Sequence, residues 1–186
     1  MKTLFLATGF ILLVGVMPMH ADCTSPPAGI LAWWPGDGNA TDLVGGHNGT
    51  LTGGAAFLAG RVAQAFSFDG GINSSVDVPD HPVWDLAQDF TIDLWVKINQ
   101  FGARGEPFIA HDDGGGNHRK WVFWTDSLGH SPPFNQRALR FLVETENDPQ
   151  DLITYPWNPT LGQWYHVAVT RAGTAFALYI DGVQVN

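Results

Sequence analysis

Oxygen donors crowd one short stretch of this chain. Residues 36–49 read GDGNATDLVGGHNG and carry Asp37, Asn39, Asp42 and Asn48. A hard cation such as Ca²⁺ takes about six to eight oxygens from carboxylates, amides and backbone carbonyls on irregular loops, which this stretch can supply. The same residue types also build turns, because Gly reaches positive φ and Asx side chains bond their own backbone. A second polar loop, His111-Asp112-Asp113-Gly114-Gly115-Gly116-Asn117-His118, has neither EF-hand nor helical zinc spacing and reads as a flexible connection.

Paired carboxylates could hydrolyse glycosides, at a separation of ~5–5.5 Å for retaining and ~6.5–9.5 Å for inverting enzymes. Asp89 and Asp93 share a strand face, but at ~3.3 Å rise per residue their backbones lie ~13 Å apart. Glu144 and Glu146 lead into a loop and read as solubilising charges. No Gly-x-Ser-x-Gly elbow is present, and His166 reads as a structural histidine inside a strand. No catalytic residue is assigned. Rings displayed on irregular stretches could stack on sugars, which makes Trp84, Tyr155 and Trp157 the candidate ligand-binding residues; Trp95 and Trp164, inside strand patterns, are expected in the core.

The elements that must position these groups are short and extended. Phe90, Ile92, Leu94, Val96 and Ile98 alternate with Thr91, Asp93, Trp95 and Lys97, the pattern of a strand with one buried face. Trp164–Arg171 and Thr174–Ile180 alternate likewise, and Asp181-Gly182 carries the signature of a type I′ hairpin turn into Val183–Val185. Further strands are expected at Ile30–Trp34, Ala65–Phe68, Ser75–Val78, Pro107–His111, Trp121–Thr125 and Leu139–Glu144, with 36–56 a Gly-rich connection holding one apolar island at Gly49-Thr50-Leu51 and Thr154–Pro159 a Pro-broken loop. Frequent Gly and Pro without helical periodicity point to an all-β sandwich of about ten strands.

Residues 1–21 differ in kind. Lys2 precedes the apolar run Leu4–Val16, and Ala21 ends the segment, as in a cleaved secretory signal. The run is shorter than the ~20 residues a membrane span needs, so no span is expected after cleavage. A short leader, 22–28, follows. Cys23 is the only cysteine, which excludes an intrachain disulfide and cysteine-based metal clusters. Nine basic residues against eighteen acidic ones exclude nucleic acid as a partner.

Trp33-Trp34-Pro35-Gly36-Asp37-Gly38-Asn39, Gly49-Thr50-Leu51, Gly60–Gly70 (GRVAQAFSFDG), Phe90–Lys97, Trp164–Arg171 and Leu178-Tyr179-Ile180-Asp181-Gly182 occur in this order. Together they resemble laminin G-like jelly-roll domains of the concanavalin A-like lectin and glucanase group, over about residues 29–186. The resemblance implies an antiparallel jelly-roll β-sandwich. It also implies calcium near the first loop, with Asp37, Asp42 and Asn48 as ligands. Family members continue past the Asp-Gly hairpin with further strands, so the resemblance implies a C-terminally incomplete domain. The expected function is non-catalytic recognition of a glycan or an extracellular protein, in a secreted or cell-surface protein of several domains. The alternatives are a glycoside hydrolase or lyase of the same group, or a ligand-free spacer.

Overall fold

The computed structural model describes residues 26–103, 105–111, 120–128, 135–145 and 148–186. The expected signal segment and Cys23 lie outside the described residues, as do Asp112–His118 and Glu146. The chain divides into two compact units, Met1–Ile30 and Leu31–Asn186, and the described strands all belong to the second. They are β1 (Thr50–Thr52), β2 (Ala56–Ala59), β3 (Gln64–Ser67), β4 (Ser75–Asp77), β5 (Phe90–Lys97) and β6 (Glu106–His111). After these come β7 (Lys120–Asp126), β8 (Ala138–Thr145), β9 (Asp148–Pro156), β10 (Trp164–Ala172), β11 (Ala175–Ile180) and β12 (Val183–Gln184). One 3₁₀ turn, Pro82–Asp85, precedes β5.

Two four-stranded antiparallel sheets, in the orders β12-β11-β10-β5 and β6-β7-β8-β9, make the sandwich; β1–β4 and β2–β3 form two-stranded ribbons. The alternation expected in β5 and β10 is what faces the sheets together. Val96, Val167, Val169 and Leu178 from the first sheet meet Trp121, Phe123, Leu139 and Phe141 from the second in one buried cluster. Phe141 sits at the seam, with ring centroids 5.7 Å from Phe90 and 6.1 Å from Phe176.

The Asp181-Gly182 turn is type I′ as its sequence requires: φ is 49° at Asp181 and 79° at Gly182, and Ile180 pairs with Val183. Strand β9 corrects the expected loop. Pro149 and Pro156 look like breakers, but β9 is the last strand in its sheet order, where a missing N–H leaves no ladder bond unmade.

The strand expected at Ile30–Trp34 does not form. The Trp33 N–H donates to Asp42 Oδ1 (2.8 Å), and the Trp33 carbonyl accepts from Leu43 N (2.9 Å), so this stretch is tied to its own loop rather than to a sheet. Asp42 is buried and organises the whole loop. Its Oδ1 also accepts from Val44 N (3.0 Å); its Oδ2 accepts from Gly45 N (3.1 Å) and His47 N (3.0 Å) and lies 3.0 Å from His47 Nδ1. Burial acts to raise the Asp42 pKa, but the N–H groups of Trp33, Val44 and His47 and the His47 ring outweigh it and hold the carboxyl well below the usual range.

Two stability outcomes follow from this packing. Phe141→Ala empties the seam and should cost about 3–5 kcal/mol, measured by denaturant unfolding. Asp42→Ala should cost about 2–3 kcal/mol at neutral pH, because it orphans several buried N–H groups. A depressed folded-state pKa means that the Asp42 contribution is complete above its unfolded value of ~3.9 and is lost as pH falls below it. The gap in stability between parent and variant should therefore narrow below about pH 4, and a gap that widens there would contradict the assignment.

Candidate functional site

The outer face of the first sheet carries side chains that the core does not use. On β5 these are Thr91, Asp93, Trp95 and Lys97; on β10, Trp164, His166 and Thr170. The antiparallel register places Trp95 opposite His166 and Lys97 opposite Trp164. The Trp95 and His166 rings lie 5.3 Å apart, and Lys97 Nζ sits 5.0 Å from the Trp164 ring centroid. Trp95 is 46% exposed, a large apolar surface to leave in water.

Two other segments close on this face. The tip of the β2–β3 hairpin, Gly60–Ala63, is held by the Gly60 N–H to Ala63 carbonyl bond (3.0 Å) and sends Arg61 over the Trp95 ring, with Cζ 4.0 Å from its centroid. The β11–β12 turn brings Asp181, whose Oδ1 accepts from the His166 N–H (2.9 Å) while its own N–H donates to the His166 carbonyl (2.8 Å). His166 Nε2 lies 3.3 Å from Asp93 Oδ1. Arg61, Trp95, Trp164, His166 and Asp181 line an open depression of about 430 Å³. Apolar ring faces beside a few fixed polar groups are the make-up of a small-ligand site.

None of the residues singled out for ligand binding from sequence lines this depression. Trp84 lies in the 3₁₀ turn among Trp34, His47 and His81; its indole N–H donates to the Pro79 carbonyl (3.2 Å), and its own carbonyl accepts from Trp121 Nε1 (2.7 Å). Tyr155 pairs with Leu139 across β9–β8 and packs on the core. Trp157 also packs on the core, edge-on to Tyr165 at 5.3 Å. These rings fix irregular segments to the sandwich. Conversely, Trp95 and Trp164 are not in the core but on the outer face, and His166, hydrogen-bonded inside its strand as expected, also lines the depression. Its partner was legible: Asp93 and Trp95 fall on the non-core face of the β5 alternation. Arg61 gave no such signal.

The calcium set does not fit the loop it was expected in. Asp42 turns both oxygens to N–H donors, whose partial positive charge stands where a cation would sit. Asn48 Oδ1 is already accepting from Asp42 N (3.0 Å), and Asp37 is exposed, its carbonyl accepting from Asn39 Nδ2 (3.2 Å). Among the described residues no group of three or more His, Cys, Asp or Glu side chains could hold a metal, and no helix is long and apolar enough to cross a membrane.

Comparison with known proteins agrees with this architecture. No curated protein matches the chain. Among solved structures it is similar to domain 4 of AbnA, an extracellular GH43 arabinanase from Geobacillus stearothermophilus in complex with arabinotriose (TM-score 0.54, 21% identity, 79% of this chain and 68% of that one). It is also similar to the binding domain of Paraclostridial Mosquitocidal Protein 1 (TM-score 0.56, 16% identity, 78% of this chain and 36% of that one). At these identities the likeness is one of fold. A laminin G-like family model matches residues 69–186, more than half of the sequence. The chain belongs to the concanavalin A-like lectin/glucanases superfamily.

Proposed function

We propose that this chain is a non-catalytic recognition domain, exported from the cell, that binds carbohydrate in the depression formed by Trp95, Trp164, His166, Arg61 and Asp181. The half-exposed Trp95 ring carries the reading. About half of an indole's area, roughly 100 Å² at ~25 cal/mol per Å², offers ~2.5 kcal/mol to the apolar face of a sugar. His166, Asp93 and Asp181 stand beside it as polar partners that could orient hydroxyls. Both carboxylates hydrogen-bond to His166, one to its ring and one to its backbone, a positioning use that supports binding over turnover.

The folds it resembles support the same role, since one belongs to an arabinanase domain solved with arabinotriose and the other to a toxin binding domain. The signal-like segment 1–21 and the extracellular setting of that arabinanase support export. The remainder of a larger protein would supply any catalysis.

Calorimetric titration with arabino-, gluco- and galacto-oligosaccharides tests the reading. Binding is expected at a Kd of about 0.1–1 mM for at least one of them, the range in which a stacked ring and a few hydrogen bonds place a ligand. Trp95→Ala should weaken it at least tenfold while moving the melting midpoint by no more than about 2 °C, because the ring lies outside the core. EDTA should leave the affinity unchanged. Release of new reducing ends from the bound sugar would overturn the non-catalytic assignment.

A further inference from the structure

The hydrogen-bonding capacity of the depression is lopsided. One oxygen of each of its carboxylates is engaged: Asp93 Oδ1 with the His166 ring and Asp181 Oδ1 with the His166 N–H. Its cationic donors are not. Among the described residues, Arg61 makes no hydrogen bond or ion pair, and its only partner is the Trp95 ring. Lys97 is in the same state over Trp164. Elsewhere, Arg140 pairs with Asp126 at 3.0 Å, Arg171 donates to the carbonyls of Gly173 (2.8 Å) and Leu86 (3.2 Å), and Arg137 lies over the Phe101 ring, outside the depression.

Building on the carbohydrate reading, we propose that the depression selects a short saccharide bearing a single oxyanion, seated on Arg61 with its ring against Trp95 or Trp164. A guanidinium held over an indole keeps its planar N–H fork free, and that fork matches the two oxygens of a carboxylate or of a sulfate ester. Charge-assisted bonds of this kind are about twice as strong as neutral ones, so the oxyanion outweighs a hydroxyl at the same place. The net charge of −9 repels a polyanion at long range, which restricts the ligand to one local charge rather than a charged polymer.

Titration of the whole chain with a galactotriose carrying one galacturonate unit, mono-sulfated galactotriose and neutral galactotriose is the test. At least one acidic trimer should bind tenfold or more tightly than the neutral one, and the tighter of the two acidic arms identifies the oxyanion. Arg61→Ala should erase that preference, bringing the ratio of acidic to neutral affinity to about one, and Arg61→Lys should keep part of it, since the charge stays and the fork goes. Arg61 is exposed at a hairpin tip, so an unchanged melting midpoint controls for folding. Equal or tighter binding of the neutral trimer, or an acid preference that survives Arg61→Ala, would overturn this inference and leave the carbohydrate reading standing. Failure of all three trimers, together with every neutral oligosaccharide, would overturn both.

Discussion

Strand β10 runs between β5 and β11, and its register sets both faces of the sheet at once. With Val167 opposite Leu94 and Val169 opposite Ile92, the valines enter the core, and His166 and Trp164 are thereby turned outward. A slip of one residue would bury His166 and Trp164 and expose the valines. The register is pinned near the depression by the reciprocal pair between His166 and Asp181, two bonds of 2.9 and 2.8 Å across the strand end and the turn. Asp181 can reach this position because the turn holds it at φ 49°, a conformation that Asp tolerates better than most side chains. Core, turn and outer site are therefore one constraint seen from three sides.

Buried polar groups do comparable work elsewhere. Asp42 collects donors from Trp33, Val44, Gly45 and His47, and so gives a strandless stretch the hydrogen bonds that a sheet would have supplied. On the second sheet, Arg140 and Asp126 are both almost fully buried and 3.0 Å apart. Desolvation makes such a pair a poor source of net stability, but leaving either partner alone would be costly, so it specifies one arrangement of β7 against β8.

Much of this was legible in the chain itself. Period-two alternation placed β5, β10 and β11 as strands, and Asp181-Gly182 named its turn type. The misplacement of Trp95 came from residue type overriding pattern. Trp95 was assigned to the core because Trp is large and apolar, although its neighbours on the same face, Thr91, Asp93 and Lys97, already marked that face as wet. Trp84, Tyr155 and Trp157 were singled out because their segments are Pro-containing or irregular; Tyr155 and Trp157 pack against the core, and Trp84 packs against Trp34, His47 and His81. An edge strand tolerates Pro for reasons of topology, which a single strand's sequence does not state. Arg61 lies 34 positions before Trp95, and no local periodicity links a hairpin tip to a sheet face.

The two parts of the depression differ in how firmly they are held. Trp95, Trp164 and His166 stand on strands whose displacement would break ladder bonds and core contacts together, so the floor is fixed before any ligand arrives. Arg61 is fastened to it only through the Trp95 ring, and an exposed cation–π contact is worth about 0.5–1 kcal/mol. A charge-assisted bond to a ligand exceeds that, so the guanidinium can exchange the ring for an oxyanion, or lean aside and release the ring to a sugar, at little cost. On the proposed reading, affinity on this face is a property of the sheet, whereas discrimination between ligands belongs to the hairpin. The hairpin can vary its tip without disturbing the core that holds the floor in place.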